Sequence, residues 1–371
     1  MRAAIRMRAW LAIGLLVCWL SANGASLRQL EAGWPKTDFS RRTIELREVN
    51  SGGVPKDGIP AIDAPRFEPI SSARQWLKPD EPIIAVQLGE TARGYPIQIL
   101  IWHEIVNDRM NSRSIAVTFC PLCNAAMVFD RTLDGRELGF GTTGMLRLSD
   151  LVMYDRQTES WWQQFTGEAI VGAYVGTTLK ELPSKIVPFS AFADAFPQGE
   201  VLARPAGSDR PYGRNPYVGY DNINSSPFAL RGKADSRLRP MERVLGVRLG
   251  ADTLVYPLSK LRSKPVINDE VGGEPLVIVA TAQMRSPLDQ NRISESRSIP
   301  AAAAFDRRVQ GRVLDFTWRE QTLLDEQTGS EWDIFGRAVR GPLAGAALTP
   351  RDGGVHFAFA WLAFNPRTQI R

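Results

Sequence analysis

Short apolar runs broken by Gly, Asp and Asn recur along most of the chain, the pattern of strands joined by tight turns. Ser114–Phe119 reads as one strand. Ala125–Arg131 and Arg136–Phe140, joined through Asp134-Gly135, read as a hairpin, and Leu151–Tyr154 with Trp161–Phe165 as another. After Tyr95 the period changes. Pro96 suits a first helical turn, and Ile97 and Ile101 then share one face. Residues 25–82 break the pattern with Gly52-Gly53-Val54-Pro55-Lys56-Asp57-Gly58-Ile59-Pro60, where Gly makes turns and Pro blocks ladders. This stretch reads as an irregular strap over a domain, or as a loop that delivers Asp57 or Asp63 to a site.

The pattern also repeats. Ile83–Gly89 recurs as Val244–Gly250, Tyr95-Pro96-Ile97 as Tyr256-Pro257-Leu258, and Ile105–Asp108 as Val266–Asp269, at one constant offset. Phe129-Asp130-Arg131 recurs as Phe305-Asp306-Arg307 at a wider offset, which places an insertion in the polar stretch Arg285–Ser298. Asp155–Ser160 recurs as Asp325–Ser330. Ordered anchors at nearly one spacing mark a duplication. The expected fold is β-rich α+β, two tandem homologous units with hairpins and a short helix each. Unit one covers residues 83–203, unit two 244–371, and 204–243 forms an ordered linker pinned by aromatic residues such as Tyr217 and Tyr220, which are read as packing residues. Pro265 stands at the position of Glu104, so the first helix should end near His103.

The N-terminus sets the expected compartment. Arg2, Arg6 and Arg8 precede the apolar run Ala9–Leu20, and small residues follow, spaced for cleavage after Gly24. Residues 1–24 therefore read as a cleaved signal peptide, with export to a periplasm or the exterior. Cys18 resembles a lipid-modified cysteine only weakly, because the large Val17 precedes it. Removal of the three arginines takes the net charge from +5 to +2. No dense Lys/Arg block and no second stretch of membrane length remain, so neither nucleic-acid binding nor a membrane span is expected of the mature chain. Partners are not specified by the sequence.

Cys120 and Cys123, in Cys120-Pro121-Leu122-Cys123, are the only cysteines outside that leader. Two thiols at this spacing grip a metal, close a redox disulfide, or form a structural clip. The duplication supplies an internal control: Cys120 faces Thr281, Cys123 faces Met284 and His103 faces Lys264, so copy two lacks all three together. A site of Cys120, Cys123 and His103 is soft and suits copper ahead of zinc. Asn124 tolerates the left-handed backbone that a metal knuckle often needs. Asp57, Met145, Met153, a water or a substrate are the candidates for a further ligand. A dithiol oxidoreductase needs a fold other than thioredoxin, because a hairpin rather than a long helix follows Cys123. The third reading is a small-ligand module with a structural disulfide. There Gly139–Asp150 would close as a flexible loop, with Thr142, Thr143, Ser149, Asp150 and Trp161 touching the ligand. Trp162 has a counterpart in Trp332 and reads as core; His356, in an apolar segment, reads as structural. Asn107, Asp108, Asp130 and Asp155 occur in both copies and read as turn and cap residues.

Gly52–Pro60, Trp102–Asp108, Thr118–Cys123 and Asp150–Arg156 together resemble a family of exported bacterial and archaeal proteins catalogued as domain of unknown function 3179. The resemblance covers nearly the whole mature chain and implies export, but no activity. The sequence departs from that family at Asn124, where Gly is usual, and at His356.

Overall fold

A computed structural model of the chain describes residues 28–371, Asp352 by its backbone alone. The leader reading of residues 1–24, Cys18 included, lies outside the described residues. The molecule is β-rich, with several small sheets and few, short helices. No helix among the described residues is long and apolar enough to cross a membrane.

Ile83, Ile84, Ala85 and Val86 are all buried, so the strand Pro82–Leu88 is covered on both faces. It lies inside a five-stranded sheet, between Ser184–Pro188 and Thr91–Pro96. Pro96 then caps the helix Ile97–His103, which is buried almost all round. The helix ends where expected. Glu104 follows with φ 58 and turns the chain into a three-stranded sheet of Ile105–Met110, Arg113–Cys120 and Ala125–Asp130. A second five-stranded sheet runs Val49–Ser51, Phe140–Arg147, Asp150–Asp155, Trp161–Gln163 and Ala169–Val171. These last two sheets carry the residues of the site described below.

Two sequence expectations change here. Asp134-Gly135 does make a tight turn, at φ 49 and 74, but it joins only Thr132–Leu133 to Arg136–Glu137. Ala125–Asp130 pairs instead with Arg113–Cys120, because that partner offers a largely apolar, buried register. Gly139–Asp150 is not a flexible loop. Phe140–Arg147 is a strand, paired with Asp150–Asp155 on one side and Val49–Ser51 on the other.

Residues beyond 243 follow the same order of elements: paired strands Arg243–Leu249 and Asp252–Pro257, the helix Leu258–Ser263, then Val266–Val271, Glu274–Arg285 and Ser298–Asp306. Details correspond as well. Ser184–Pro188 lies antiparallel on Pro82–Leu88 as Asp352–Phe357 does on Arg243–Leu249. Glu200–Leu202 runs parallel to Thr91–Pro96 as Gln369–Ile370 does to Asp252–Pro257. Asp155 accepts from the Trp162 indole and the Thr158 amide, and Asp325 does the same for Trp332 and Thr328. The two stretches share one apolar core in which Phe165 stacks on Phe364 at 4.7 Å. Trp162 is fully buried there, as expected.

Candidate metal centre

The strand Arg113–Cys120 runs straight into the turn Pro121–Asn124, and Ala125 resumes the ladder opposite Cys120. Asn124 takes the left-handed conformation expected of it, φ 50, and its amide closes the turn on the Pro121 carbonyl at 3.2 Å. Two contacts from the far end of the chain brace the turn. The Asn124 side chain donates to the Val355 carbonyl at 3.0 Å, and the Phe357 amide donates to the Cys123 carbonyl at 2.9 Å. Both thiols are buried and free; no disulfide joins them.

The partner of the two sulfurs is Asp150. It follows the left-handed pair Leu148 and Ser149, which reverses the chain between adjacent strands. Its carboxylate is fully buried. Oδ2 accepts from the Gln163 side chain at 2.7 Å and from the Phe165 amide at 3.0 Å, and the two thiols are the remaining polar groups that face the carboxyl. One ligand atom from each of Cys120, Cys123 and Asp150 lies within 4.8 Å of the others. Burial pushes the Asp150 carboxyl up to about 6, against the pull of its hydrogen bonds. Burial likewise pushes both thiols up, with the charges of Asp150 and, at Cys120, Glu104 adding to the effect. No cationic side chain is among the main causes of these shifts, and a bound cation would supply the missing charge.

Glu104 stands beside this group. It is 7% exposed, and no hydrogen bond reaches its side chain among the described residues. Burial and the Asp150 charge push its carboxyl up to about 8. It lines a cavity of about 270 Å³ together with Leu122, Leu151, Tyr217, Tyr220 and Phe228. Part of that wall comes from the stretch read as a linker. The Tyr220 hydroxyl donates to the Leu122 carbonyl at 3.2 Å and accepts from the Phe228 amide at 3.1 Å, which ties residues 217–228 over the cysteine turn.

The remaining sequence candidates lie elsewhere or are otherwise engaged. His103 is outside the cluster. Its Nδ1 meets the Pro60 carbonyl and its Nε2 the Tyr212 hydroxyl, each at 2.7 Å, so neither ring nitrogen is free for a metal. Glu104, the residue after His103, is the one whose charge reaches Cys120 and Asp150. Asp57 accepts from the Tyr154 hydroxyl at 2.5 Å and from Arg156 at 3.4 Å, and pins the strap rather than joining the cysteines. Met153 is fully buried in the core, and Met145 packs partly against the aromatic cluster of Trp34 and Trp161 while touching the cavity. Thr142 donates to the Ile59 carbonyl, Thr143 to the Val152 carbonyl and Ser149 to the Phe228 carbonyl. Trp161 is buried edge-on against Trp34 and Phe39, each at 5.3 Å. His356 is structural, as expected. Its Nε2 meets the Gly353 carbonyl, its ring stacks on Trp361, and burial lowers its pKa to about 3.

Glu104 carries a signal in the sequence: at the offset that links the recurring segments, the matching position holds Pro265, which has no carboxyl.

No curated protein and no solved structure matches the chain. A family model does, described as "Protein of unknown function (DUF3179)", over residues 56–368. That span takes in Glu104, Cys120, Cys123 and Asp150 together, and the chain belongs to this family.

Proposed function

We propose that the chain binds a metal ion through Cys120, Cys123 and Asp150, zinc ahead of copper. The observation that carries this reading is the convergence of two thiols not joined in a disulfide and one carboxylate, all buried, with a ligand atom of each within 4.8 Å of the others. A buried carboxylate with no cationic partner is costly, and a dication beside it offsets that cost. The expected preference for copper rested on an imidazole. With a carboxylate in its place the donor set is harder, and zinc accepts mixed sulfur and oxygen ligands readily. Three protein ligands leave a fourth position for water or a small molecule, the arrangement of zinc sites that do chemistry rather than hold structure. Gln163 and the Phe165 amide fix the carboxylate from behind, as outer partners of metal ligands do. Elemental analysis of protein purified from its native compartment should find about one zinc or copper per chain. Protein that is metal-free when isolated and stays so after reduction and incubation with either ion refutes the reading. Nothing favours thiol exchange, since a nucleophilic thiolate needs exposure and a lowered pKa, and both thiols here are buried and raised.

The proposal extends to the architecture and compartment. Residues 83–203 and 244–371 are taken as duplicated units of which only the first keeps the ligands, residues 204–243 as the connection, and residues 25–82 as a strap. The ordered anchors and the matching element order support this. Residues 1–24 are taken as a cleaved leader, and N-terminal sequencing of the mature protein should begin at Ala25. A mature chain that retains Met1 overturns the export reading.

A further inference from the structure

We propose that the cavity beside the cysteine turn binds a small primary ammonium cation, with Glu104 as its counter-ion. The inference goes beyond metal binding and rests on Glu104 rather than on the thiols. A carboxyl that is 7% exposed, lines the cavity and has no hydrogen-bond partner among the described residues is costly to hold there, and a guest able to donate to it offsets that cost.

The charge of the site selects the guest. No Lys, Arg or His is among the residues that line the cavity, and Asp150 lies close enough to Glu104 to raise its proton affinity. Once Glu104 is ionised, above its raised pKa of about 8, an anionic guest meets only like charge and a neutral one leaves the carboxylate poorly matched. An ammonium group satisfies both the charge and the hydrogen bond. Tyr217 and Tyr220 add two aromatic rings to the wall, and phenol faces attract cations within about 6 Å. Leu122, Leu146 and Leu151 supply the apolar remainder that would cover a short alkyl tail.

Size limits the guest further. The volume of about 270 Å³ falls just below the roughly 300–1,000 Å³ of pockets for drug-sized ligands. The backbone agrees with a functional role. Glu104 caps a helix at φ 58, a position where Gly is usual, and such strain is characteristically kept at working sites.

The test uses three probes of one length, n-butylamine, 1-butanol and butyrate, titrated calorimetrically at about pH 9 into EDTA-treated full-length protein, above the raised pKa of Glu104 and below the roughly 10.4 of an alkylammonium. Butylamine should bind at least about tenfold more tightly than butanol, a difference of ~1.4 kcal/mol, and butyrate should not bind. Glu104→Gln, nearly isosteric, should bring butylamine down to the level of butanol. Leu146→Phe, which keeps the carboxyl and fills the apolar wall, should weaken butylamine and butanol alike, with circular dichroism checking the fold of both variants. Equal binding of butanol or butyrate by the wild type, unchanged butylamine binding by Glu104→Gln, or butylamine binding only after metal is restored would each overturn the proposal. Because the first titrations use metal-free protein, a protein that takes up no metal can still pass.

Discussion

Cys120→Ser and Cys123→Ser should each lower zinc affinity by about a thousandfold. Structural zinc in small protein sites is worth ~10–16 kcal/mol, and an even share among three ligands is ~4 kcal/mol, or three decades. Asp150→Asn keeps the shape and an oxygen donor but loses the charge, so its expected loss is smaller, about a hundredfold. Gln163→Ala frees the carboxylate that the amide holds at 2.7 Å and should cost about 10–100-fold. His103→Ala is the informative control. Both of its ring nitrogens are engaged by Pro60 and Tyr212, so metal affinity should stay within about twofold of wild type. The measurement is competition titration against a chromophoric chelator in reducing buffer. Full affinity in Cys120→Ser would sink the site, and a large loss in His103→Ala would restore histidine to it.

Gly144→Ala should destabilise the protein by ~3 kcal/mol or more and loosen the strap. Gly144 sits at φ 75, in the bulge between Thr142 and Met145. An added Cβ would lie 2.1 Å from the Val54 carbonyl oxygen and 3.0 Å from that of Pro55. Both are backbone atoms, so no side chain can swing aside, and the strap itself must move. That strap is tied down where the Gly52 amide donates to the Gly144 carbonyl at 2.7 Å and the Asp57 amide to the Thr142 carbonyl at 2.9 Å. Left-handed backbone alone costs a non-glycine residue ~1–2 kcal/mol, and each lost hydrogen bond adds ~0.5–1.5 kcal/mol. Gly135→Ala separates the two effects, because Gly135 has φ 74 but nothing within 4 Å of the added atom. It should cost ~1–2 kcal/mol and leave the strap in place. Urea unfolding reads the stability, and limited proteolysis reads cleavage between residues 49 and 58. If Gly144→Ala and Gly135→Ala match in both, steric contact with the strap is not what holds it.

The parts of this molecule that were legible beforehand are those written locally. Pro96 announced the start of the helix and Asn124 the left-handed end of the cysteine turn, because each residue type acts on its own backbone. Asp150 was noticed only as a ligand contact. Its approach to the sulfurs depends on which strands pair, and no spacing in the chain records that. His103 misled for the opposite reason. It lies close to the cysteine strand in sequence, but the turn at Glu104 faces it toward Pro60 and Tyr212. Residues 204–243 show no periodicity, so they read as a connector, yet Tyr217, Tyr220 and Phe228 wall the cavity. Contacts made by irregular backbone leave no period to read.

The most direct test of the metal centre is X-ray absorption at the metal edge of zinc-loaded, reduced protein. The proposed site predicts two sulfur neighbours at about 2.3 Å and oxygen neighbours at about 2.0–2.2 Å. A first shell with no sulfur, or with more than two, would contradict it.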